Sequence, residues 1–397
     1  MRPEVLKHRG YSVAALRELA RARLPRAVFE YADGGAEDER TLRRSEAAFG
    51  EIEFVPRPLN GPAEIDLSVA LFGRKLALPV LIAPTGLSGL YWPDGEFAAA
   101  RAAAAAGTAF VLSHASVPTM EEVAATGISP RWLQLFIYKD RGLTLEFATR
   151  AAAAGYDALV LTIDNQIVGK RERDLRNGFT NPPRWGLIEI AGMAARAPWV
   201  WQMRRHIPRL TFGNYRRPGE TGKLAALAHR VGEMFDTGMS WKDVEMLRQA
   251  WKGQLLIKGI LHPDDARAAL DRGVDGVIVS THGGRQLDGA PATIDALPPI
   301  AEAVGTQMTV LLDGGVRRGS DVVKAVALGA RAVLIGRPQL WGLAVAGEAG
   351  VTRVLDIFRD EIQRVLGLLG VARVADLGRQ IFFQRPGRQG LPLEKSR

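Results

Sequence analysis

Eight short runs of β-branched and aliphatic residues, each ending in a polar or glycine cluster and followed by a helical stretch, constrain this chain more than any other feature. The runs cover 79–83, 108–112, 132–136, 158–163, 254–258, 276–280, 308–312 and 332–335. They are continuously apolar rather than alternating, as expected of strands buried on both faces of a parallel sheet. Helices fit between them. An alanine-rich segment, 96–106, stops at Gly107. A second, 263–271, ends before Gly273. A third, 321–328, begins near Ser320 and stops at Gly329. Ser240 followed by Asp243 marks a further helix start, with a serine cap and an early acid. Eight strands alternating with helices predict a (β/α)₈ TIM barrel. A doubly wound open sheet is the alternative, but it usually needs fewer units.

The chain has 397 residues, a length that one barrel can fill, so 1–397 reads as a single domain. Three segments fall outside the repeat. Residues 11–50 read as two helices forming an N-terminal cap. The stretch 165–237 is too long for a βα loop. The basic, polar stretch 382–397 reads as a loose tail.

There is no cysteine, which excludes disulfides, thiolate metal sites and cysteine nucleophiles. The first ten residues carry no apolar signal core, and no run of roughly 18 apolar residues is long enough to span a bilayer. The net charge of +9 suits an anionic partner. No nucleic-acid motif accompanies it, so nucleic acid is not expected.

In a barrel of this kind chemistry sits at the C-terminal ends of the strands. Those ends deliver Pro84-Thr85-Gly86, Ser113-His114, Gln134 with Phe136, Thr162 with Asp164, Lys258, Ser280 through Arg285, Asp313 through Arg317, and Gly336-Arg337. The last two ends combine glycines with Arg317 and Arg337. Glycine lets backbone N–H groups approach an anion, so these ends predict a phosphate site. Lys258 closes an apolar run, where it is a Schiff-base lysine, a cation beside an electron-rich ring, or a snorkelling surface residue. His282, flanked by Thr281 and Gly283, reads as a base that Asp164 could orient. Arginine forks grip carboxylates, which makes Arg171, Arg173 and Arg285 candidates. By itself, however, Lys170-Arg171-Glu172-Arg173-Asp174 reads first as a solvated charge run.

The segment Ser280-Thr281-His282-Gly283-Gly284-Arg285-Gln286-Leu287-Asp288 closely resembles the signature of the FMN-dependent 2-hydroxy acid oxidising family. Leu24-Pro25, Tyr31, Gly35-Ala36-Glu37-Asp38, 83–86 and 313–319 extend the resemblance over most of the chain. The resemblance implies FMN as cofactor and oxidation of an (S)-2-hydroxy acid, mandelate- or lactate-like, to the 2-oxo acid. It makes His282 the catalytic base and Asp164 its partner. Arg171 and Arg285 become clamps on the substrate carboxylate, with Tyr31 as a further contact. Lys258 would lie beside the flavin. Pro84, Thr85, Gly86, Ser113, Gln134, Thr162 and Ser280 would hold the ring, and Asp313 the ribityl chain. Gly315, Arg317, Gly336 and Arg337 would bind the phosphate. A homotetramer is also implied.

Departures stand out. Phe136 occupies a substrate-side position where relatives usually carry tyrosine, so a phenol is missing. His114 stands where small hydroxyl residues are common, and Ala115 where some relatives carry tryptophan. These substitutions admit another reading, a flavin-binding protein without turnover.

The insertion 177–219 bears on the electron acceptor. Between Thr180 and Gly219 it carries Trp185, Trp199, Trp201 and seven arginines, with Glu189 as its one acid. Tryptophan favours the membrane interface and arginine favours anionic headgroups. This predicts a peripheral anchor on the cytoplasmic side of the inner membrane and a quinone acceptor. A lid packed on the barrel, in a soluble oxidase that reduces O₂, is the alternative. The resemblance is strongest to the (S)-mandelate dehydrogenase branch, around 84–92 and 169–176.

Overall fold

A computed structural model describes residues 2–178, 192, 194–216 and 224–384. Eight parallel strands close into one barrel. They are β1 (Val80–Ile82), β2 (Phe110–Ser113), β3 (Arg131–Leu135), β4 (Ala158–Thr162), β5 (Gln254–Ile260), β6 (Gly276–Val279), β7 (Thr309–Asp313) and β8 (Ala332–Ile335). Each pairs with its neighbours in chain order, and β8 returns to β1 through Val333 opposite Val80. All eight apolar runs are therefore strands, with ends shifted by no more than two residues. Their side chains are buried on both faces, β1, β2, β4, β6 and β8 without exception. That double burial is why the runs do not alternate.

The helices lie around this cylinder. Gly95–Ala105 buries Ala98, Ala99, Ala100, Ala102 and Ala103, and alanine allows a helix to lie close to a strand layer. Trp241–Ala250 starts with the expected capping box, Ser240 with Asp243. A two-stranded hairpin, Val69–Leu71 with Arg74–Leu76, precedes the barrel.

The N-terminal cap differs from expectation. Residues 11–50 form three helices, Val13–Arg23, Arg26–Asp33 and Arg40–Gly50. Pro25 breaks the first from the second: it has no N–H to continue a helix, and it biases Leu24 to the extended backbone seen there. Asp288, the last residue of the signature segment, accepts from the backbone N–H groups of Arg40 and Thr41 at 3.1 and 2.7 Å. It caps the third helix and takes no part in the cavity. The first residues of the expected loose tail are held in place. Phe382 pairs with Phe54 across a β-bridge and stacks on its ring, while 385–397 lie outside the described residues.

Candidate active site

A cavity of about 340 Å³ opens at the C-terminal ends of the strands, a size typical of small-molecule sites. Tyr31, Phe136, Arg171, His282 and Arg285 line it. So do Pro84, Thr85 and Gly86 after β1, Ser113 and Gln134 on β2 and β3, and Thr162 and Lys258 on β4 and β5. Asp313, Gly315, Arg317, Gly336 and Arg337 complete the wall at β7 and β8. Two predicted residues stand behind that wall, Asp164 and Ser280.

Asp164 meets the base from behind. Its Oδ1 lies 2.9 Å from His282 Nδ1. Burial works to raise the Asp164 carboxyl, but the charges of His282 and Lys258 outweigh it and hold the group below the usual carboxylate range. An ionised Asp164 keeps the proton on Nδ1 and leaves Nε2 of His282 with a lone pair. The approach requires Gly259, whose φ is +111° and whose absent Cβ would sit 2.8 Å from Asp164 Cβ. The pairing of β5 with β6 shifts register at this point.

A depressed carboxyl contributes stability above its ordinary value, near 3.8, and loses it as pH falls through the folded-state value. Acid unfolding is therefore expected to steepen below about pH 4. Asp164→Asn should flatten that limb in denaturant midpoints measured from about pH 6 to about pH 3. An unchanged acid limb would contradict the assignment.

Ser280 is fully buried. Its hydroxyl accepts from Lys258 Nζ at 2.8 Å and from the His282 backbone N–H at 3.0 Å. It thus joins lysine to base from behind the cavity wall. His282 itself has a φ of +55° and is followed by Gly283 and Gly284, also at positive φ. A non-glycine residue held in this region is uncommon and tends to mark a site where geometry matters more than local strain.

Lys258 is 4% exposed and pairs with Asp313 at 3.1 Å. Burial lowers its pKa, but Asp313 and Asp164 raise it further, so the ammonium stays charged inside the barrel mouth. This removes the reading of Lys258 as a snorkelling surface residue.

Two arginines line the same cavity. Arg171 and Arg285 lie over the same ring, Tyr31, at 5.7 and 5.2 Å from its centroid. Arg285 is half-buried; loss of solvent around it, and then the charge of Arg171, push it below its ordinary value. Two neighbouring cations in a low-dielectric cleft attract an anion strongly. The charge run is therefore divided by the fold. Arg171 lines the cavity while pairing with Asp174 at 3.3 Å, and Arg173 pairs with Asp33 and Glu39 of the cap.

The phosphate corner is only partly as predicted. Gly315 has a φ of +79°, and a Cβ there would lie 1.9 Å from the Ser45 carbonyl, so the cap demands glycine. Arg317 donates to Glu46 and Val316, but its Nε is buried without a partner. Arg337 lines the cavity, yet three of its N–H groups already donate to the carbonyls of Ala32, Gly283 and Gly34 at 2.8–2.9 Å. Burial pushes it down to about 9. Its first task is to lock the cap onto the His282 loop, which leaves two N–H groups for an anion.

Several lining residues were not legible in sequence. Tyr91, Phe212, Val231 and Phe235 complete the wall. The last three come from the stretch between β4 and β5, where no periodicity marks a site. Tyr138 and Tyr215 bond to each other beside His114. The two tyrosines are 77 residues apart, and Tyr215 is 101 from His114, so only the fold brings them together. The same stretch divides the aromatic residues on which the anchor reading rests. Trp199 and Met203 are buried, whereas Trp201 is 69% exposed with Arg204 over its ring. Arg184, Trp185 and Arg217 lie outside the described residues.

Comparison with known proteins decides the family. Residues 20–384 match the family of FMN-dependent dehydrogenases. The chain belongs to that family. It is 44% identical to the L-lactate dehydrogenase of Caulobacter vibrioides, covering 96% of this chain and 99% of that protein. It is 43% identical to the L-lactate oxidase of a Nostoc species, covering 91% and 94%. Among solved structures, the monotopic membrane protein (S)-mandelate dehydrogenase superposes with a TM-score of 0.90 at 37% identity, covering 94% and 99%.

The cofactor of this FMN-dependent oxidoreductase is FMN, and the cavity fits it. Thr162 Oγ1, Asp313 Oδ1 and Arg317 Nε belong to cavity-lining residues and are buried without partners. Each such group costs about 1–3 kcal/mol if left unpaired. A flavin mononucleotide offers polar ring atoms, ribityl hydroxyls and a phosphate to satisfy them. The charged Lys258 on the cavity wall would suit a ring that becomes electron-rich.

Proposed function

We propose that this FMN-dependent enzyme oxidises an (S)-2-hydroxy acid, mandelate- or lactate-like, to the 2-oxo acid and passes the electrons to a membrane quinone. One observation carries the reading: an Asp164-oriented imidazole shares a cavity with two guanidinium groups. Arg171 and Arg285 clamp the carboxylate, and Tyr31 adds its hydroxyl to the same end. His282 Nε2 then takes a proton from the substrate, and Asp164 stabilises the resulting imidazolium. FMN, when bound, supplies the two-electron acceptor. Lys258, charged and buried beside Asp313, stabilises negative charge on its neighbour. Pro84, Thr85, Gly86, Ser113, Gln134 and Thr162 hold the ring, and Asp313 the ribityl chain. Gly315, Gly336 and Arg317, with the remaining N–H groups of Arg337, receive the phosphate.

The substrate side chain lies toward Ala115, Phe212, Val231 and Phe235, the apolar part of the cavity wall. Both the L-lactate relatives and the (S)-mandelate neighbour support this substrate class. The exposed Trp201 with Arg204, and the monotopic neighbour, support peripheral membrane attachment. No helix among the described residues is long and apolar enough to cross a membrane. The resemblance further supports a homotetramer.

A second reading, an oxidase that reduces O₂, is favoured by the buried Trp199 and by the Nostoc oxidase. The decisive experiment adds a panel of 2-hydroxy acids to the yellow protein without oxygen. Bleaching by an (S)-acid is expected, followed by recolouring with a soluble quinone faster than with air. Stoichiometric peroxide would establish the oxidase instead. No bleaching by any member of the panel would reject both.

A further inference from the structure

His114 follows β2 at the cavity wall, 6% exposed, in contact with Phe136 at 4.6 Å between ring centroids and 82° between planes. Its Nδ1 bonds to the Tyr215 hydroxyl, which bonds to the Tyr138 hydroxyl; Tyr138 closes the triangle at 3.4 Å from Nδ1. All three residues are buried. Burial, and then the charge of His282, push the imidazole down to about 3, so it is neutral at working pH.

Counting protons fixes the tautomer. A neutral imidazole carries one N–H, and each phenol one O–H. If Nδ1 held the proton, three donors would face one another around the triangle, and one hydroxyl hydrogen would be left without an acceptor. A buried donor stranded in this way costs about 1–3 kcal/mol. With Nδ1 bare, one phenol donates to the other and the second donates to Nδ1. Every hydrogen is then placed. The proton therefore resides on Nε2. That atom has no protein partner among the described residues and is not among the buried atoms that lack one. It opens on the cavity that His114 lines.

We infer that His114 is a substrate-binding residue: its Nε2–H donates to the oxygen on C2 of the substrate and of the 2-oxo product. It supplies the hydrogen bond that a tyrosine at position 136 would make and that the Phe136 ring, without a hydroxyl, does not. The two tyrosines are positioning residues that hold the imidazole in this tautomer. A neutral donor suits this task, because it stabilises an oxygen gaining negative or carbonyl character without adding a second base beside His282. This inference rests on the proposed 2-hydroxy acid chemistry.

The test compares two ligands by their perturbation of the flavin spectrum. One is a 2-oxo acid, such as phenylglyoxylate. The other is the matching acid without an oxygen on C2, phenylacetate. His114→Ala is expected to weaken the 2-oxo acid about tenfold, the upper range for one neutral hydrogen bond, and to leave the unsubstituted acid unchanged. His114→Gln, which keeps an N–H at similar reach, should restore most of the loss. kcat/KM for the 2-hydroxy acid should follow the same order. If alanine yields no soluble protein, His114→Leu fills the volume without a polar atom and is read the same way. Equal weakening of both ligands, or of neither, overturns the inference. Failure of the unaltered enzyme to oxidise any 2-hydroxy acid would instead reject the function on which it rests.

Discussion

Replacing His282 with glutamine is expected to lower kcat by roughly 10²–10⁴-fold and to leave the purified protein yellow. The loss corresponds to about 2.7–5.5 kcal/mol of transition-state stabilisation. Glutamine keeps a polar side chain of similar reach but cannot take up a proton. The loop should survive the change, because its shape is held by groups other than the imidazole. The His282 backbone N–H donates to Ser280, Arg337 holds the Gly283 carbonyl, and Ala36 donates to the Gly284 carbonyl. The residue will, however, remain at positive φ, where glutamine is less at ease than histidine, so a modest fall in Tm is expected as well. Substrate should still bind, since Arg171 and Arg285 are untouched. The expected signature is a large kcat effect with a small change in KM. Turnover within threefold of the parent enzyme would remove His282 as the base.

Replacing Lys258 with methionine is expected to destabilise the protein by about 3–5 kcal/mol, the usual cost of removing one partner from a buried ion pair. The lysine is nearly inaccessible and serves both Asp313 and Ser280. Without it, a buried carboxylate is left with no cation at hand, and the Ser280 hydroxyl loses a donor. The effect should reach the cofactor too. Flavin affinity should fall, and the reduced flavin should become harder to form, because the cation that would stabilise its negative charge is gone. Adding Asp313→Asn should recover much of the stability by removing the stranded charge, without restoring the flavin potential. Denaturant midpoints and a redox titration separate the two effects. A Lys258→Met protein as stable as the parent would show that the ion pair contributes nothing net.

Much of this arrangement is legible in the chain itself. Short continuous apolar runs suit strands buried on both faces, and eight of them in alternation with helices favour a closed barrel over an open sheet. The glycine clusters and charged residues at the ends of those runs had to lie on one rim, because parallel strands deliver all their C-terminal ends to the same side. What misled was local reading of charge. Lys170 to Asp174 looks like one solvated stretch, yet its two arginines serve different partners. Arg337 looks like a free phosphate ligand, yet most of its fork is taken by carbonyls of the cap and of the His282 loop.

The amino-acid order alone determined the barrel, the rim and the types of group available there, since these follow from periodicity and from the direction of parallel strands. Only the tertiary structure decided which of those groups meet. Asp164 reaches His282 because Gly259 has no side chain. Two guanidinium groups converge on Tyr31 because the cap folds over the rim. A histidine from the end of β2 finds two phenols about 24 and 101 residues away. Hydrogen bonds and ion pairs depend on ångström distances between residues remote in sequence, and no local pattern encodes those distances.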